Sequence, residues 1–236
     1  MFPLRDSVPS SRPPVVNVLL IAACAVTFFF ELSLGPNLER FLRDLAFVPA
    51  RLFHPGAFDA DLLFNVKSVL LSMFLHGGWL HLIGNMWFLW VFGDNVEDVL
   101  GHVGYTLFYL GCGGMAALAQ AVVAPDSQVP MVGASGAIAG VLGAYLVWFP
   151  WSRVKTLVFL GIFFTMAELP APLFLVLWFV VQFFSGTLAL ATVQASTGGV
   201  AFFAHIGGFL AGAALAFLLR STGRVHPTLR GSILEG

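Results

Sequence analysis

Apolar residues fall along this chain in six long blocks, each near the length a helix needs to cross a bilayer: residues 15–34, 69–93, 103–124, 134–150, 171–190 and 202–220. A hydrocarbon core about 30 Å thick calls for about 20 such residues at 1.5 Å each. Residues 1–14, MFPLRDSVPSSRPP, are polar and proline-rich and are expected to form a tail, as are residues 221–236. No small-residue cleavage site directly follows the first block, so it is read as a retained helix and not a removed signal. Residues 35–68 carry charges and prolines beside apolar clusters such as LAFVPARLF, a pattern suited to a loop folded on the membrane surface. One stretch is ambiguous. VKTLVFLGIFFTMAE (154–168) is apolar but short, and is either an interfacial or re-entrant segment in a six-span chain or a seventh span.

Composition narrows the class. Hydrophobic residues make up 58% of the chain and charged ones only 10%, at a mean hydropathy of +0.91. A chain so poor in charge cannot cover its apolar surface in water, so it is expected to be an all-α polytopic membrane protein. The net charge of -1 offers nothing to nucleic acid. Cys24 and Cys112 both sit inside apolar blocks, where they read as small buried residues and not as a disulfide or zinc ribbon.

Basic residues set the expected orientation. Arg5 and Arg12 precede the first block, Arg153 and Lys155 follow the fourth, and Arg220, Arg224 and Arg230 follow the sixth. With six spans, all seven lie on the cytoplasmic side with both termini. A seventh span at 154–168 would expel the last three, so six spans is the better reading. The second, fourth and sixth spans then all run from outside to inside.

That orientation places the polar residues. His76, His81 and Asn85 fall in the first half of the second span, Ser135 in that of the fourth, and His205 in that of the sixth. Each alone is an ordinary interhelical hydrogen-bonding group. Together, at one depth on three parallel helices, they point to a single site, because intramembrane polar groups are costly and face a cavity or bundle interior. A serine needs a base within hydrogen-bond reach, and His205 is the candidate. Gly136 and Gly140 on one span, and Gly208 and Gly212 on the other, give each a small-residue face for close approach. His81 and Asn85, four residues apart, project from one helix face and suit an oxyanion, with the Ser135 N–H near a helix start as a third donor. Gly133 and Gly136 would let the chain bend and a substrate carbonyl approach. No carboxylate is expected at this depth, so the chemistry reads as a Ser-His dyad without an acid. GASGA is not the G-x-S-x-G nucleophile elbow. A zinc site on His76, His81 and His205 would lack H-E-x-x-H and an activating acid, so neither metal nor cofactor is expected.

The stretches HGGWLHLIGNMWFLWVFGDNVED (76–98), GASG (133–136) and AHIGGFLAG (204–212) resemble the rhomboid family of intramembrane serine proteases in its bacterial six-span form. The resemblance covers nearly the whole chain from the first span to the sixth. It implies a six-transmembrane-helix rhomboid bundle over residues 15–220, in a bacterial cytoplasmic membrane, that cleaves transmembrane segments of other membrane proteins near their outer ends. It implies Ser135 as nucleophile, His205 as general base and acid, His81 and Asn85 as oxyanion stabilisers, and His76 in support. The loop 191–201 would cap the site. Two departures stand out. Glu97 is followed by Asp98 and Val99 where the family often has Glu-x-Arg, and Ala139 stands where some members stack a tyrosine on the histidine. Phe202 and Phe203 are the candidates left to hold the His205 ring. The rival reading is a catalytically silent rhomboid-like protein that binds or escorts membrane clients. Such a protein would be expected to lack the serine or the histidine.

Overall fold

The structure, a computed structural model, describes residues 2–58, 60–160, 163–191 and 201–223. Its helices are α1 (Val15–Ser33), the short α2 (Leu38–Leu45), α3 (Pro49–Phe53) and α4 (Pro55–Phe58), then α5 (Leu62–Ser72), α6 (Trp79–Val123), α7 (Ser135–Trp148), α8 (Ala171–Ala191) and α9 (Phe202–Ser221). Strands β1 (Phe2–Asp6), β2 (Arg153–Leu160) and β3 (Phe163–Pro170) form one small sheet. The chain is mostly helical, as expected, and α1, α6 and α9 are each long and apolar enough to cross a membrane.

The expected second and third spans form the single 45-residue element α6, broken at Gly101, whose φ of 69° and ψ of 168° are non-helical. A straight helix would hold His81 and Ala116 about 50 Å apart. Both instead press on the same short stretch: His81 Nε2 lies 2.6 Å from where a Cβ on Gly133 would sit, and Ala116 Cβ 2.6 Å from one on Gly136. The element therefore doubles back at Gly101, a backbone conformation that glycine adopts without strain. The second span also starts later than expected. Helix α5 ends at Ser72 and α6 begins only at Trp79, after Gly77 and Gly78, so His76 lies in the connection before α6 and not on the helix.

Glu97 has a different partner from the arginine that the family pattern suggests. Its buried carboxylate accepts the α1 N-terminal amides of Val16 (2.9 Å) and Asn17 (2.7 Å), and His102 Nδ1 lies 2.6 Å away. An acid at a helix N-terminus satisfies donors that have no intrahelical acceptor and opposes the positive helix end. Asn17 in turn donates to Leu89 O at 2.9 Å and accepts from Tyr105 at 2.8 Å, which ties α1 to both halves of α6.

The ambiguous segment 154–168 is neither a spanning nor a re-entrant helix. It forms the β2–β3 hairpin, register Arg153↔Pro170 to Leu160↔Phe163, with Val154 and Thr156 fully buried on one face. Alternating β-branched residues favour this pleated, half-buried surface. The segment expected as an N-terminal tail supplies the third strand, with Phe2 opposite Leu157 and Asp6 opposite Val154. This strand is strapped to the helices. Asn95 Nδ2 donates to Val8 O at 2.9 Å, the Ser11 amide donates to Asp98 at 2.9 Å, and the Tyr145 hydroxyl donates to Asp6.

Burial pushes the Asp6 carboxyl up to about 6 from its ordinary 3.8, against the opposing hydrogen bond from Tyr145. The folded chain thus holds this proton more tightly than the unfolded chain. Stability from Asp6 is complete below the ordinary value and is lost as pH rises towards 6. Asp6→Asn keeps an acceptor for Tyr145 without the charge. Thermal unfolding in detergent should show the variant gaining on the wild type between about pH 4 and pH 6, with a level difference above. A pH-independent difference would refute this.

Candidate active site

Ser135 is the first residue of α7, and His205 lies in the first turn of α9. Ser135 Oγ sits 2.7 Å from His205 Nε2, a contact spanning 70 residues of sequence. His205 is buried, whereas Ser135 is half-buried and can be reached.

The glycines explain how the two helices come so close. A Cβ on Gly208 would lie 2.0 Å from Gly136 O, one on Gly212 2.0 Å from Gly140 O, and one on Gly143 2.2 Å from Phe209 O. At these three glycines α7 and α9 therefore meet backbone on backbone. The other side of α7 packs as tightly on α6, where Gly136 meets Ala116 and a Cβ on Gly140 would lie 2.4 Å from Cys112 Cβ. Such contacts replace a hydrophobic driving force between helices in lipid.

His81 and Asn85 face Gly133, two residues before the serine. A Cβ there would sit 2.6 Å from His81 Nε2 and 3.6 Å from Asn85 Nδ2, and the φ of +120° also demands glycine. Asn85 Nδ2 is buried and has no partner among the described residues. A buried donor without an acceptor is costly, and this one faces the glycine two residues before Ser135. The first amides of α7 also lack intrahelical acceptors. The structure thus brings Ser135, His205, His81, Asn85, Gly133 and Gly136 together. His76 stands one step back, its ring edge-on to His81 at 5.3 Å between centroids.

Several contributors were not foreseen. The loop before Ser135 is tied to the segment 47–72, since Gly133 N donates to Ser72 O at 2.9 Å and Met131 N to Phe47 O at 2.8 Å. The Ser72 hydroxyl accepts from Phe47 N at 2.7 Å and donates to Ser68 O at 2.7 Å, which knits that segment together. The His205 ring lies against Trp178 of α8, with centroids 6.0 Å apart, and edge-on to Phe202 at 6.4 Å. Trp178 thus supplies an aromatic surface that Ala139 cannot, and nothing in a tryptophan within an apolar run marks it for that role. Contrary to expectation, a buried carboxylate does lie close to the polar cluster. Glu31 of α1 is buried and accepts the backbone N–H of His76. A lone acid inside FFFELS was the available signal. The expected cap, loop 191–201, falls mostly outside the described residues. Among those residues no group of three or more His, Cys, Asp or Glu side chains could hold a metal ion.

A pocket lined by Ser72, Gly113, Ala116, Met131, Gly133 and Ser135 adjoins the serine. Similarity to known proteins agrees with this architecture. The chain is 31% identical over 131 residues to Rhomboid-like protein 11, chloroplastic, of Arabidopsis thaliana, covering 48% of this chain and 46% of that protein. It is 31% identical over 153 residues to RHOMBOID-like protein 6, mitochondrial, of the same plant, covering 64% and 43%. It is 34% identical over 99 residues to the human Presenilin-associated rhomboid-like protein, mitochondrial, covering 41% and 26%. The matched region spans less than half the length of each relative. The sequence profile of the Rhomboid domain matches residues 64–222, which takes in every residue of the polar cluster beside Ser135, and the chain belongs to the rhomboid family.

Proposed function

We propose that this chain is an intramembrane serine endopeptidase that hydrolyses peptide bonds in or near transmembrane segments of other membrane proteins. The observation that carries the reading is the 2.7 Å contact between Ser135 Oγ and His205 Nε2 inside an otherwise apolar bundle. In this mechanism His205 Nε2 takes the hydroxyl proton as Ser135 Oγ attacks the substrate carbonyl. His81, Asn85 and the Ser135 N–H stabilise the oxyanion that forms. His205 then hands its proton to the departing amine, and a water deprotonated by His205 frees the acyl group. In this reading Ser135 and His205 work as a dyad, and the Glu31 carboxylate accepts the His76 N–H.

The topology that fits is six crossings, made by α1, the two halves of α6, α7, α8 and α9, with both termini in the cytoplasm. The site then lies in the outer half of the membrane, where a substrate helix must unwind before its amides can be attacked. Gly113, Ala116 and Ala117 leave the pocket room for a small side chain next to the cut.

The test is labelling by a serine-reactive fluorophosphonate. The wild-type chain is expected to be labelled at Ser135, and His205→Ala to lose that label, because the hydroxyl alone is a weak nucleophile. A wild-type chain that takes no label would favour the escort reading.

A further inference from the structure

We propose that Glu31 is a positioning residue for the oxyanion site, acting from α1 through His76 on the helix that carries His81 and Asn85. The inference rests on the protease reading above and names a residue that reading does not use. Glu31 is 1% exposed, and both its carboxylate oxygens lie 3.2 Å from the backbone nitrogen of His76. Two glycines, Gly77 and Gly78, then separate His76 from Trp79, where α6 begins. Glycines carry no side chain to fix their path, and Gly78 gives the helix no side-chain cap. The start of α6 is consequently held from upstream by whatever holds His76.

Three contacts do so. Glu31 fixes the backbone of residue 76. Phe74 O accepts from His76 Nδ1 at 3.1 Å, and because a carbonyl only accepts, that nitrogen carries the proton and the ring is locked in place. The locked ring meets His81 edge-on at 5.3 Å, and His81 Nε2 in turn presses on Gly133. The same end of α1 grips the other side of the glycine pair, with Phe28 and Phe29 edge-on to Trp79 at 5.0 Å and 5.9 Å. Losing the carboxylate frees the connection to slide, which moves His81 and Asn85 relative to the carbonyl oxygen they must meet. That contact matters most in the transition state, so the effect should fall on kcat.

The test compares Glu31→Leu with Glu31→Gln, whose amide oxygen still accepts the His76 N–H. With a model transmembrane substrate, Glu31→Leu should lower kcat about 10- to 100-fold with KM within about twofold, and Glu31→Gln should recover most of it. Hydrogen exchange supplies a readout independent of turnover. In Glu31→Leu, protection should fall at residue 76 and in the first turn of α6 while α7 and α9 keep theirs. Equal kcat in both variants with unchanged exchange would overturn the proposal. Absence of Ser135-dependent turnover in the wild-type chain would instead count against the protease reading, and the exchange result would still decide the role of Glu31.

Discussion

Ser135→Ala is expected to reduce cleavage of a reconstituted transmembrane substrate to background, a loss of at least about 1000-fold. Ser135 Oγ is the hydroxyl that lies 2.7 Å from His205 Nε2. The substitution removes one oxygen at the half-buried start of α7 and leaves the packing of that helix untouched, so the thermal midpoint should stay close to that of the wild type. That separation of activity from stability is the informative part. A variant that still cleaved would show that some other group attacks the carbonyl. A variant that both lost activity and unfolded early would leave the nucleophile assignment to the probe-labelling experiment. His81 and Asn85 would still bind the substrate carbonyl in Ser135→Ala, so the inactive chain should retain substrate and permit its capture by cross-linking.

Gly212→Ala should be nearly as damaging, for a wholly different reason. The added carbon would sit 2.0 Å from Gly140 O and 2.5 Å from Gly140 Cα, both backbone atoms that cannot rotate aside. Relief requires α9 to move off α7 by an ångström or more. Overpacking of this kind costs about 1–3 kcal/mol, visible as a lower unfolding midpoint in detergent. His205 rides on the same rigid helix two turns away, so the shift reaches the 2.7 Å contact with Ser135. A misplacement of about 1 Å at the reacting atoms costs on the order of 100-fold in rate. Gly114→Ala is the control, since nothing lies within 4 Å of a Cβ there and alanine is the better helix former. Equal activity and stability in the two variants would disprove the close-packing account of how the dyad is assembled.

The contrast between the two substitutions shows which parts of the molecule were legible in its residues. Five of the six expected blocks match observed helices or helix halves to within a few residues, because an apolar run of bilayer length has few other ways to satisfy its backbone. The pairing of Ser135 with His205 was legible too, through matched depth and matched glycine faces. His76 falls in a connection and not on a helix, because an apolar block carries no mark showing that one helix stops at Ser72 and the next starts at Trp79. The residues of 154–168 leave its form open, because its partner strand, Phe2–Asp6, lies about 150 residues away in a stretch that reads as a tail. The charge of Glu31 is plain in the sequence, but only the fold shows that it reaches the residue before the glycine pair.

By itself, the sequence determined the membrane setting and the family, and it named the polar residues that the fold brings together. Hydropathy, charge and side-chain chemistry are properties of each residue and its near neighbours. The tertiary structure decided how those groups are held: Trp178 beside His205, Phe47 and Ser72 gripping the loop before Ser135, and Glu31 fixing the entry to α6. Each of these contacts joins residues far apart in the chain through packing or a backbone amide. A backbone N–H is the same at every position, so no residue letter records which one a carboxylate will find.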